Sequence, residues 1–223
     1  MHRLTLLALA GALVFSACDS ADPEPEPTPL NVQTAADVEA DPTTGRDPVT
    51  GAPIANNLFT LYDLDAGEIV LSSSETDAAV RAADSTGTAW DLGFRGTTII
   101  VNGGTSGPGA GTAQVLAEAF AGVTEAPATG YAADGANANC PAVETPGGTF
   151  PGAPYAICTG GGNGWYSYES ATNLITPIAG RTIVLTTGEG DYAKVRILSY
   201  YQGNPATPDP QTDASRYYTF EYV

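Results

Sequence analysis

Thr182-Ile-Val-Leu-Thr-Thr187, Gly188-Glu-Gly190 and Asp191-Tyr-Ala-Lys-Val-Arg-Ile-Leu-Ser-Tyr-Tyr201 read as two β-strands joined by a turn. The first run is apolar and β-branched, which suits a buried pleated surface. The glycines around Glu189 supply turn chemistry. The second run alternates. Tyr192, Lys194, Arg196, Leu198 and Tyr200 fall on one face, and Ala193, Val195, Ile197, Ser199 and Tyr201 on the other. After a Pro-rich loop, Gly203 to Pro210, the segment Ser215-Arg-Tyr-Tyr-Thr-Phe-Glu-Tyr-Val223 places Tyr218, Phe220 and Tyr222 together, opposite Tyr217, Thr219 and Glu221. Strands this regular predict an all-β fold of two packed antiparallel sheets, with long Gly/Pro-rich loops and little helix.

The pattern extends upstream. Leu58-Phe-Thr-Leu-Tyr-Asp-Leu64 and Glu68-Ile-Val-Leu-Ser72 flank an Asp65-Ala-Gly67 turn, a hairpin signature. Thr88 to Arg95 alternates Trp90, Leu92 and Phe94 against Asp91, Gly93 and Arg95. Thr97-Thr-Ile-Ile-Val-Asn102 is a further strand, and Ala113 to Phe120 fits a short strand or a helical turn. Between them lies Gly103-Gly-Thr-Ser-Gly-Pro-Gly-Ala-Gly111. This loop has no lysine to hold a phosphate, so it reads as a flexible or tightly turning connection. Asp41-Pro-Thr-Thr-Gly45 and Asp47-Pro-Val-Thr-Gly51 are repeated turns. Their carboxylates and threonines offer calcium ligands or form plain surface turns, the blander and preferred reading.

The 223 residues carry 25 acids against 8 Lys and Arg, a net charge of −17. No basic patch is available for nucleic acid or an anionic membrane surface. With 15% charged and 43% hydrophobic residues, the chain is nevertheless no acidic disordered tail. Arg3 precedes an apolar run of 14 residues, Leu4 to Ala17. That run is too short to span a bilayer and fits the core of an export signal. It ends Val14-Phe-Ser-Ala17 before Cys18, similar to a bacterial lipobox although Phe15 is unusual there. The expected organisation is a lipoprotein signal peptide over 1–17, lipidation at Cys18, a Pro-rich acidic tether over 18–36, and a single β domain over 37–223. An ordinary secreted chain with a free Cys18 is the alternative. Cleavage leaves seven basic residues and a net charge of −18, a balance that suits a salt-rich habitat. In an oxidising compartment Cys140 and Cys158 read as a disulfide across a Gly/Pro-rich loop. A metal site there lacks further His or Cys.

Five segments resemble the HmuY family of haem-binding lipoproteins from Bacteroidota. They are Trp90-Asp-Leu-Gly-Phe-Arg95, Asn102-Gly-Gly-Thr-Ser-Gly107, Gly164-Trp-Tyr-Ser-Tyr168, Tyr192 to Tyr201, and Arg216-Tyr-Tyr-Thr-Phe-Glu-Tyr222. They keep the family order and span Leu58 to Val223. The resemblance implies two antiparallel sheets, a haem site among loops at one end, anchoring at the outer membrane with the domain facing the cell surface or the periplasm, and delivery of haem to an outer-membrane receptor.

The donor chemistry departs from that family. Haem iron needs imidazole, thioether, thiolate or phenolate. The only His is His2 and the only Met is Met1, both in the segment expected to be removed. Where relatives often carry a His after the Trp-Tyr-x-Tyr block, this chain has Thr172-Asn173-Leu174. The candidate ligand pocket is therefore Tyr131, Tyr155, Trp165, Tyr166, Tyr168 and Asn173, with no metal ligand assigned. A tyrosine ligand would need a cation nearby to lower its pKa, and plain packing is the commoner role of each. Trp165, Tyr166 and Tyr168 are also placed to stack on a flat ring without an iron bond. No His is present to activate a Ser or Thr, and carboxylates such as Glu189 and Asp191 sit in a turn, so a non-catalytic protein is expected. Two readings follow. One is a surface lipoprotein binding haem or a related tetrapyrrole without His or Met; the other is a surface interaction module that kept the fold and lost the iron site.

Overall fold

In the computed structural model, residues 31–50, 53–135, 140, 143–145, 148–150, 152, 154–159 and 163–223 are described. The compact unit runs from Asn31 to Val223. The signal segment and Cys18 lie outside the described residues.

Two antiparallel sheets face each other. The larger has the order β1 (Gln33–Glu39), β15 (Ser215–Tyr222), β14 (Tyr192–Tyr201), β13 (Thr182–Thr186), β8 (Thr112–Leu116). The smaller has the order β5 (Glu68–Leu71), β4 (Thr60–Asp63), β6 (Leu92–Arg95), β7 (Thr98–Val101). Three two-stranded ribbons complete the strands: β2 (Gly45–Arg46) with β3 (Pro53–Ile54), β9 (Val143–Thr145) with β10 (Gly148–Phe150), and β11 (Tyr166–Glu169) with β12 (Leu174–Pro177). The all-β fold of packed antiparallel sheets agrees with the sequence pattern.

Aromatic rings fill the space between the sheets. Phe94 of β6 lies 4.8 Å from Tyr218 and 5.4 Å from Phe220 of β15, centroid to centroid. Tyr62 of β4 lies 5.3 Å from Phe220. The expected shared face of Tyr218, Phe220 and Tyr222 is thus the core face, and all three are buried. The 58–72 hairpin forms as expected from β4 and β5, with Gly67 at φ +70 closing its turn. Of the Ala113 to Phe120 segment, the part up to Leu116 is strand, paired along β13, and the rest is not.

Four features differ from the sequence pattern. The stretch read as tether, 18–36, overlaps β1, which begins at Gln33 and pairs with β15. Asp37 at φ +54 makes a bulge in that strand that lets both Ala35 and Val38 bury. A helix, α1 (Ala78–Ser85), also forms. The Asp77 side chain caps it by accepting from Ala79 and Val80, and Arg81 ties it down by donating to the carbonyls of Phe59, Ser72 and Glu75. Trp90 precedes β6 and joins Leu61, Leu71 and Ile100 in a second cluster, apart from Leu92 and Phe94. Finally, bulges in β14 accompany burial of both Tyr200 and Tyr201.

The Gly-rich loop is tightly packed. A Cβ on Gly103 would lie 2.0 Å from the Gly111 carbonyl oxygen. Asn102 organises the loop: its Oδ1 accepts from Gly109 and its Nδ2 donates to the carbonyls of Gly87 and Trp90. The repeated turns at Asp41 and Asp47 spend their carboxylates on backbone amides. Asp41 accepts from Asn56 and Asn57, and Asp47 from Val49 and Thr50. Those amides hold the Asp47 carboxyl below its ordinary value. Cys140 and Cys158 are bridged, with Cα atoms 5.1 Å apart.

Candidate functional site

At one end of the two sheets, chain segments leave and enter strands around a cleft of about 600 Å³, within the ~300–1,000 Å³ typical of small-molecule sites. Arg95, Gly96, Thr97 and Thr98 line it from the β6–β7 turn, and Tyr200, Tyr201, Ser215 and Arg216 from the β14–β15 connection. Asp41, Arg46 and Asn57 come from the chain after β1, and Tyr168, Asn173 and Ile175 from the β11–β12 ribbon.

The ribbon exists because its two strands pair from Tyr166↔Pro177 to Glu169↔Leu174. Asn173 closes the turn at φ +62, a conformation that Asn tolerates better than most residues. Its side-chain oxygen accepts a 2.6 Å bond from the Tyr168 hydroxyl. The ribbon is seated on β14: the Ile175 amide donates to the Tyr201 phenol oxygen at 3.1 Å.

The sequence-based pocket residues divide. Tyr168 and Asn173 come together on the cleft wall. Tyr166 sits beside them, half-buried, its hydroxyl 3.4 Å from Thr97 Oγ1. Trp165 is a support residue. It is buried, donates Nε1–H to the Thr97 carbonyl, and packs against Tyr166, Tyr200 and Tyr218 at 4.7–6.2 Å. Its faces are filled by the core, so it offers none to a planar ligand. Tyr155 packs on the cluster around Trp90. Tyr131 lies against Tyr192 with centroids 6.0 Å apart, and its buried hydroxyl has no hydrogen-bond partner. Neither lines the cleft.

Three arginines also stand on the wall. Arg216, at φ +68, donates Nη1–H to the Asp41 carbonyl at 2.8 Å and lies 3.8 Å from the Asp41 carboxylate. Arg95 lays its guanidinium over the Phe59 ring, 4.3 Å from the centroid. Arg46 stands exposed on the β2–β3 ribbon. Tyr200 is buried beneath: burial pushes its phenol well up, with Arg216 pulling partly the other way. Sequence reasoning passed over these residues. The available signal was that Arg95 and Arg216 end and begin strands that an antiparallel sandwich brings to one end.

The donor set does not fit haem ligation through His or Met. The cleft offers phenols, hydroxyls, two amides, one carboxylate and guanidinium groups, and no imidazole, thioether or thiolate. No helix among the described residues is long and apolar enough to cross a membrane.

The HmuY protein family matches residues 56–222, three quarters of the sequence. This chain belongs to the HmuY family. Solved structures of similar proteins include a candidate HmuY-like haem-binding protein of Bacteroides vulgatus, at 14% identity, TM-score 0.42, covering 82% of this chain and 96% of that one. They also include a candidate lipoprotein of Bacteroides fragilis, at 15% identity, TM-score 0.41 and coverages of 82% and 94%. A third is an apo HmuY analogue of Tannerella forsythia, at 15% identity, TM-score 0.42 and coverages of 86% and 93%. A search of curated proteins finds no match. The family membership rests on the match across 56–222.

Proposed function

We propose that this HmuY-family chain is a surface-anchored lipoprotein that binds haem or a related tetrapyrrole in the strand-end cleft, without a His or Met bond to iron. Acyl chains on Cys18 and the Pro-rich acidic tether that follows it would hold the folded unit at the outer membrane, within reach of an uptake receptor. The observation that carries the reading is the meeting, within a family member, of the ribbon residues Tyr168 and Asn173 with a cleft of small-molecule size. Binding there needs no catalytic group. The test is titration of the purified chain with haemin, ferric and then reduced. A saturable Soret shift in either state is expected; no shift in both states sinks the proposal.

A second reading is favoured by one feature. Trp165 is consumed by the core and the Tyr168 oxygen is engaged with Asn173. On that reading the fold serves as a surface interaction module, and outer-membrane extracts would yield a protein partner while haemin gives no spectral change.

A further inference from the structure

Charge is distributed unevenly in this molecule. Of the seven Lys and Arg outside the signal segment, Arg46, Arg95 and Arg216 all line one cleft, with Asp41 as the single acid. The cleft lining is thus net positive in a chain of net charge −17. Most of the cations are committed, and Arg46 and Arg181 have interactions of their own. Arg81 donates to three carbonyls, Lys194 to those of Phe120 and Val123, and Arg196 is paired with Glu221. Arg216 is held by Asp41.

Arg95 is different. Its guanidinium stacks on Phe59, and no carboxylate or carbonyl pairs with it among the described residues. A half-buried guanidinium with one face covered keeps its N–H edge available for a planar carboxylate, the geometry in which Arg makes paired hydrogen bonds. In a chain with 25 acids, a partner for Arg95 would be easy to supply from within.

We infer that the cleft recognises its ligand through carboxylate groups on that ligand, with Arg95 as the principal contact and Arg46 as the second, so that iron is dispensable for binding. This rests on the tetrapyrrole reading only for the identity of the ring. The net-positive lining attracts a dicarboxylate that the rest of the surface repels, and raised salt weakens the attraction.

The test compares iron-free protoporphyrin with its dimethyl ester, by fluorescence titration of the purified chain at low salt. The free acid is expected to bind at least about tenfold more tightly, the scale of one lost charged hydrogen bond. Arg95→Gln should remove most of that preference, and Arg46→Gln, on an exposed ribbon, part of it. Arg196→Gln should leave it intact. Melting curves establish that each variant is folded. Succinate, followed by NMR at the Arg95 Nε–H, is the second arm. Equal affinity for acid and ester, or a preference unchanged in both cleft variants, overturns the inference while leaving the tetrapyrrole reading intact. If no porphyrin binds but succinate shifts the Arg95 signal saturably, the ring reading falls and the carboxylate site stands. If neither binds, both fall.

Discussion

Asp91 shows what a single residue does in this fold. Its Oδ2 accepts from the Leu64 amide beyond β4 and its Oδ1 from the Gly188 amide beyond β13, each at 2.8 Å, so one carboxylate pins the two sheets together. Alternation along the strand assigns it outward, with Gly93 and Arg95; burial of both neighbouring layers makes that position interior. Burial pushes its carboxyl up to about 6, against the pull of the two amides. The ordinary value is 3.8, so the folded chain holds this proton more tightly than the unfolded one. The stabilising effect of protonation is therefore complete below about pH 4 and is lost as pH rises through about 6. Urea unfolding of the wild type should show this contribution between pH 4 and 6, and Asp91→Asn should flatten it. At pH 7, Asp91→Ala is expected to cost about 2–3 kcal/mol, because two buried amides lose their acceptor. A pH profile identical in wild type and Asp91→Asn would contradict the assignment.

Elements differ in how plainly the sequence announces them. The C-terminal strands and the β4–β5 hairpin were legible because alternation and turn residues agree there. Strand β1 was not, since Gln33-Thr-Ala-Ala-Asp-Val-Glu39 is mostly small and polar and becomes a strand by pairing with β15. Helix α1 is short and Ala-rich and buries none of its residues; its Asp77 cap was the readable signal. The β11–β12 ribbon carries Tyr168 and Asn173 into the cleft, and its left-handed Asn173 turn could not be placed from composition. The arginines that complete the site come from segments far apart in the chain, which only strand order brings together. The disulfide pairing, by contrast, was readable from cysteine count and compartment. Closing an 18-residue separation, it should contribute about 3 kcal/mol, measurable as the urea stability lost in a Cys140→Ser, Cys158→Ser double variant. A double variant as stable as wild type would remove that role.

For the whole molecule, the acidic excess acts against compactness, and salt should relieve it. Raising sodium chloride from low to molar concentration is expected to lift the melting temperature by at least about 3 °C, equivalent to about 1 kcal/mol in a chain of this size. An unchanged melting temperature would show that the surface charges do not repel one another appreciably. Against that excess, the arginine-lined cleft carries a net-positive lining of three arginines and one acid, which favours the proposed anionic ring. Hydrogen exchange with and without saturating haemin tests that location most directly. Slowed exchange is predicted in peptides covering 95–98, 168–175 and 200–216, with segments around Tyr131 and Tyr155 unchanged. Protection confined to the Tyr131 and Tyr155 segments, or none anywhere, would contradict the account.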